Sequence, residues 1–201
     1  MKPHAAKFAI TPPTRGKPLS RESWTAAALT VLESRGIAAV KIDKLAKKLK
    51  VTRGSFYFHF SGLKDLQGAL FDEWRMCNCR PFESLAQLRH LEGLTAFEVI
   101  VRIWVDEKPF RPKLDLAMRD WARTSRQLSD AVAAADEMRI SLLTRAFRQM
   151  GYSDDESLVR ARITYFHQIG YYALPFKEDD AERKRLQPLY GSVLVGPAGG
   201  T

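Results

Sequence analysis

Cysteine is nearly absent from this chain: Cys77 and Cys79 are the only two in 201 residues. Two positions apart on a helix they point to different faces, so they form no disulfide framework. No further ligand stands close by in sequence to complete a metal site with them. Reduced thiols of a cytoplasmic protein are the plainer reading, ahead of metal binding or redox sensing. Long apolar runs are also missing. Nothing approaches the roughly 18 residues that a membrane span needs. The N-terminal MKPHAAKFAITPPTRGKPLS interrupts its one apolar patch with Lys7, which does not suit a signal peptide. Nor is there a Gly-rich phosphate loop, an HExxH-type metal motif or a matched pair of carboxylates on one helix face. An enzyme would have only the two cysteines and four scattered histidines as reactive groups. No metal or cofactor is therefore expected.

Positive charge is present in excess. The formal net charge is +9 and the sequence pI about 9.7, which suits a polyanionic partner. All of the excess lies in the first third. Residues 1–64 hold thirteen of the 32 Lys/Arg but only three of the 23 Asp/Glu, leaving nineteen against twenty for the rest. Such asymmetry is a nucleic-acid or membrane signal. A membrane-surface role would need basic helices with a free apolar face, and here that face is taken up by the core pattern.

Hydrophobic periodicity is helical almost throughout, with no convincing strand, so the fold class is all-α. Ser20 can cap a helix through Trp24, Ala27, Ala28, Val31 and Leu32 that ends at Gly36. A short basic helix follows, with Ile42, Leu45, Ala46 and Leu49 on one stripe and Lys44, Lys47 and Lys48 off it. Val51-Thr52 makes a turn, and Thr52 can cap a third helix over about 53–59. Further helices are expected over 63–78, fading near Pro81, then over 93–106, 113–124 and 128–150. Ser153 and Glu156 form a capping box for a helix to about 174, and the Gly-rich tail after Pro188 reads as loose.

Two short helices with a tight turn, the second opening Thr-Arg-Gly-Ser, make a helix-turn-helix pattern. Such a unit lays its second helix in the DNA major groove. Arg53 can offer a bidentate fork to guanine, and Ser55 can bond a base edge. Gly54 permits close approach to the duplex, and Thr52 at a helix N-terminus suits a phosphate. Phe56 and Phe60, four apart, face the core. Tyr57 and His59 flank that face within reach of phosphates. Phe58 points away from it, toward a thymine methyl or sugar edge.

These residues carry a resemblance. Residues 20 to about 75 resemble the DNA-binding domain of the TetR family of bacterial transcription regulators, through the Ile42–Leu49 helix, the Val51-Thr52 turn, GSFYFHF and LKDLQGAL. The resemblance implies DNA contacts at Thr52, Arg53, Gly54, Ser55, Tyr57, Phe58 and His59. Lys41 stands where the family usually has a Thr or Ser cap, and Lys50 replaces a turn glycine, which puts a non-Gly residue at φ > 0. Leu63 takes the place of a common phosphate-binding lysine, so Lys64 is expected to assume that role.

The chain divides into three parts, the last two as the resemblance implies. With their prolines and four Lys/Arg, residues 1–19 read as a flexible basic arm, which could enter a minor groove or be a plain disordered tail. A DNA-binding domain spans 20–80, and a helical effector-binding and dimerisation domain spans 81–201. The segment 157–174 is apolar on most faces, as expected of a helix covered on one side by its own domain and on another by a partner, or of a central helix in a monomeric core. Leu158, Arg162, Tyr165, Ile169, Gly170 and Tyr172 are the candidate dimer residues. Phe97, Trp104, Phe110, Met118, Trp121, Phe147 and Phe166 are candidates for an effector-pocket wall, or for ordinary core, with Arg102, Arg119 and His167 as polar contacts or surface ion pairs. The expected molecule is a homodimeric repressor on double-stranded DNA, released by a small effector. The alternatives are a regulator without an effector or under a protein partner's control and, more remotely, a helical enzyme.

Overall fold

The computed structural model describes residues 19–88, 91–175 and 178–196, and every regular element among them is helical. In chain order the α-helices are α1 (Arg21–Arg35), α2 (Ile42–Leu49), α3 (Arg53–Tyr57), α4 (Leu63–Trp74), α5 (Arg80–Gln87), α6 (Gly93–Asp106), α7 (Pro112–Ala122), α8 (Arg126–Gln149), α9 (Asp154–Ala173) and α10 (Asp180–Val195), with a 3-10 turn at Ile37–Ala39. Residues 1–18 of the N-terminal arm lie outside the described residues.

Several boundaries follow from the capping chemistry. Ser20 accepts from the Ser23 N–H, and Gly36 closes α1 at φ 73°, a conformation in which glycine has no Cβ to clash. Ser153 accepts from the Glu156 N–H at the start of α9. Two expectations differ from the fold. The helix beginning at Leu63 does not fade near Pro81. It passes through a π-helical turn, Arg75–Cys79, directly into α5, with Pro81 in the first turn of the new helix. A proline ring clashes with the carbonyl four residues back in a continuous α-helix, and the wider turn relieves that clash. The chain beyond Pro188 is likewise helical as far as Val195. Its last turn is held from outside: the Arg160 guanidinium donates to the Leu194 and Val195 carbonyls at 3.1 and 3.0 Å, and the Tyr152 hydroxyl to the Val195 carbonyl at 2.5 Å. Side-chain donors thus satisfy carbonyls that a helix end leaves open.

Two apolar cores result. The first gathers Trp24, Leu32, Leu45, Phe56, Leu66 and Trp74, and draws in Leu114 and Met118 of α7 and Leu128 and Val132 of α8. The second holds Phe82, Phe97, Trp104, Phe110, Leu143, Phe147 and Tyr165. Helix α8 therefore runs through both.

Between the cores lies a buried charged network. Asp115 and Arg139 are 2% and 1% exposed, and their side chains pair at 3.2 Å. Asp115 also accepts from the Trp74 indole at 3.0 Å and from Arg119 at 3.1 Å. Arg139 donates to the Asn78 carbonyl at 2.7 Å, inside the π-turn, and to the Tyr165 hydroxyl at 3.2 Å. Arg119 forks onto Asp136 at 2.8 and 2.6 Å. Burial alone pushes the Asp115 carboxyl upward, but Arg139, Arg119 and the Trp74 donor outweigh it and hold the pKa below the ordinary carboxylate value.

Removing one member of such a pair strands the other charge away from water. Asp115→Ala is expected to lower unfolding free energy by about 3–5 kcal/mol, read from urea midpoints. A loss below about 1 kcal/mol, the scale of an exposed pair, would contradict the structural role given to Asp115. Because the folded carboxyl is depressed, its contribution is complete above the unfolded pKa of about 3.9 and is lost as pH falls through the folded value. The variant should lack that acid-dependent component.

Candidate nucleic-acid interface

Helix α2 ends where Lys50 enters the left-handed region at φ 58°, ψ 40°, its N–H reaching back to the Ala46 and Lys47 carbonyls. The Val51 N–H bonds Ala46 O at 3.0 Å, so the turn is tied down despite the strain of a lysine at positive φ. Thr52 occupies the cap position of α3 in extended conformation, but its side chain makes no capping bond. Its hydroxyl remains available. Helix α3 covers five residues rather than the seven expected, closing as the His59 and Phe60 N–H groups both bond Phe56 O.

So short a helix has too few internal bonds to stand alone. It is seated by aromatics. Phe56 meets Trp24 edge-on at 5.2 Å and stacks on Phe60 at 5.2 Å, and all three are buried. The opposite face is open: Thr52, Arg53 and Gly54 are exposed, Tyr57 is 51% exposed and Phe58 88%. Ser55 and His59 are half-buried at its edges, and Lys64 is exposed in the first turn of α4. Lys44, Lys47 and Lys48 are exposed on α2, with Leu45 and Ala46 turned inward.

A second layer fixes this surface. The Arg21 guanidinium donates to the His59 carbonyl at 2.6 Å, grips Asp65 at 2.6 Å and lies 4.0 Å from the Phe60 ring centroid. Asp65 also accepts from the Ser61 N–H at 3.0 Å. The Arg21 hydrogen bond is the main reason that the Asp65 carboxyl sits below its ordinary pKa. Arg53 is pre-oriented by the Tyr57 hydroxyl at 3.3 Å and by Asp43 at 3.5 Å. Sequence reasoning passed over Arg21, Asp43 and Asp65. A cation in the first turn of α1, where the helix dipole disfavours it, was the available signal for Arg21.

The C-terminal candidates are scattered. Phe97 and Trp104 line a cavity of about 600 Å³ between α6, α9 and α10, whose wall also includes Arg102 and His167. Phe110 and Phe147 are packed in the second core, Met118 belongs to the first, and Trp121 packs against the first. Phe166 stands on the surface at 60% exposure, and Arg119 is in the buried network. On α9, Tyr165, Ile169 and Tyr172 pack with the second core, while Leu158 and Gly170 are half-buried and Arg162 is exposed. The exposed apolar stripe is instead Val159, Ile163 and Phe166, one residue out of phase with the expected face.

Residues 25–70 match the family model of bacterial regulatory proteins, tetR family. No curated protein matches the chain. Among solved structures, a crystal structure of BioQ aligns at 23% identity, and one of BioQ with its natural double-stranded DNA operator at 25%. Each covers 88% of this chain and 96% of that chain, with a TM-score of 0.34. The matched segment contains α2, the Lys50–Thr52 turn and the whole of α3. Through residues 25–70 this chain carries the DNA-binding domain of the tetR family, and it is a TetR-like DNA-binding transcription regulator.

Proposed function

We propose that the chain is a non-catalytic, cytoplasmic repressor that binds a palindromic operator as a homodimer and is released by a small effector. Residues 20–80 form the reading domain, and residues 81–201 form the dimerisation and effector domain. The observation that carries this reading is Phe58. A phenylalanine 88% exposed beside exposed Arg53 and Tyr57, on a helix rigidly seated by Phe56 and Trp24, is unfavourable in water unless a partner covers it. In the major groove, Phe58 packs on a thymine methyl or sugar edge, Arg53 reads a base and Gly54 lets the backbone approach. Thr52, Ser55, Tyr57, His59 and Lys64 fix the register on phosphates and base edges.

The partner is a second copy, docked on the apolar surface of the last two helices. Val159, Ile163 and Phe166 on α9 and Leu189 and Val193 on α10 are each at least half exposed. Their spacing of three and four makes a continuous stripe on each helix, and pairing two copies would bury it. A two-fold axis there gives the symmetry that a palindrome mirrors. An effector in the α6–α9–α10 cavity, bound more tightly by one separation of the two reading helices than by the other, shifts the dimer away from its operator.

Selection from a random duplex pool should return a palindrome that outlasts a scrambled control as salt rises. Arg53→Ala should cost about 1–3 kcal/mol and relax preference at one operator position; equal weakening on all duplexes would remove Arg53 from base reading. Tyr57→Phe should weaken every site and, because its hydroxyl also orients Arg53, relax preference at the Arg53 position less than Arg53→Ala does. Ile163→Asp is expected to give a folded monomer by light scattering, with operator affinity reduced. A variant that stays dimeric would move the interface off α9.

A further inference from the structure

The proposed reading surface carries one charge of the wrong sign. Residues 34–64 contain eight Lys/Arg and a single acid, Asp43. On a surface otherwise suited to a polyanion, a carboxylate repels phosphate and lowers affinity for any duplex. Asp43 stands in the first turn of α2, and its Oδ1 lies 3.5 Å from Arg53 Nη1 at the start of α3. Both side chains are largely exposed. On its other side, Arg53 Nη2 donates to the Tyr57 hydroxyl at 3.3 Å. The guanidinium is therefore held from both helices of the motif.

Helix chemistry explains part of this. An anion in the first turn suits the helix dipole, and Lys41 at the cap position makes no side-chain bond. That role asks nothing of Arg53. An exposed arginine free to turn settles on phosphate oxygens, which carry no sequence information. A carboxylate beside it shifts the balance. It opposes the approach of a phosphate but costs little against the uncharged N7 and O6 edge of guanine. Arginine has more N–H donors than Asp43 and Tyr57 use, so a fork remains for that edge.

We propose that Asp43 is a specificity-determining residue: paired with Arg53, it withholds the guanidinium from phosphates and leaves guanine as the partner it can take. Discrimination is gained by penalising the wrong acceptor. The proposal rests on the base-reading role given to Arg53 above.

The full-length protein, Asp43→Asn, Arg53→Ala and the double variant are compared by salt-titrated anisotropy. The duplexes are the operator selected from the random pool, the same operator altered at the Arg53 position, and a scrambled control. Asp43→Asn keeps the side-chain shape and removes the charge. It should bind the scrambled duplex about two- to fivefold more tightly, with a salt slope steeper by about one phosphate contact. It should also lose about two- to fivefold of the preference at the Arg53 position, the scale of an exposed pair. In the Arg53→Ala background it should change neither that preference nor the slope, and Asp43→Glu should keep most of both. Equal weakening on all three duplexes would reduce Asp43 to a helix-stabilising acid. A preference change that persists without Arg53 would make Asp43 a base reader in its own right, and either result overturns the proposal. Preference relaxed by Arg53→Ala but untouched by Asp43→Asn would overturn it while leaving Arg53 a reader. No change of preference with Arg53→Ala would remove the base-reading role itself, and the proposal with it.

Discussion

The Asp115–Arg139 pair is the constraint around which the two halves of the molecule are assembled. Each charge alone would be costly in so dry a place, and each is held by groups from other helices. Trp74 of α4, Arg119 of α7 and Arg139 of α8 converge on Asp115, while Arg139 reaches on to the Asn78 carbonyl and to Tyr165 of α9. Four helices and the π-turn are thereby fixed in one arrangement. Apolar packing alone specifies such relations loosely, because hydrophobic contact is non-directional. A hydrogen-bonded pair with few free valences specifies them tightly. The π-turn belongs to the same solution, since it brings Asn78 to the Arg111 carbonyl and to Asp115 while letting the helix carry on past Pro81.

The reading helix depends on a similar principle at smaller scale. Five residues cannot hold a helix by their own backbone bonds, so the aromatic seat of Trp24, Phe56 and Phe60 replaces the missing length. Arg21 then locks the exit of α3 through the His59 carbonyl and Asp65. The exposed face carries the chemistry and the buried face carries the rigidity, and this division explains why so many aromatics crowd one decapeptide.

Legibility in sequence tracked how local the determining interaction is. Helix α1 and its caps and the left-handed Lys50 depend on neighbours within a few residues, and both were readable; the inward turn of Phe56 and Phe60 was readable from their spacing of four. Pro81 misled because the relief of its clash comes from a π-turn whose stabilising partners, Arg111, Asp115 and Arg139, lie 33 to 61 residues away. The helical end of α10 misled for the same reason, since its caps come from Tyr152 and Arg160. On α9 the sequence is apolar nearly all round, so periodicity could not say which stripe faces inward. The phase is set by Tyr165 meeting Asp136 and Arg139, and by the Tyr172 hydroxyl bonding the Trp104 carbonyl. The cavity was half hidden because α10, one of its three walls, read as a loose tail.

The same arrangement constrains how the proposed effector could act. Arg139 sits on α8 between Val132 and Ala135, which belong to the first core, and Leu142 and Leu143, which belong to the second. The network balances two aspartates with two arginines, so its energy depends on geometry rather than on net charge. A ligand that parts α6 from α9 moves Tyr165 or Trp104, and either displacement bears on Arg139 or on the Phe82 and Phe110 rings at 5.0 and 5.6 Å from it. Arg139 cannot shift far without breaking its 2.7 Å bond to the Asn78 carbonyl, and Asn78 is continuous through the π-turn with α4. In the proposed mechanism, therefore, the motion reaching the reading helix is a swing of α4 together with its domain. It is not a local loosening of α3, whose aromatic seat and Arg21 lock make no bond to the cavity wall among the described residues.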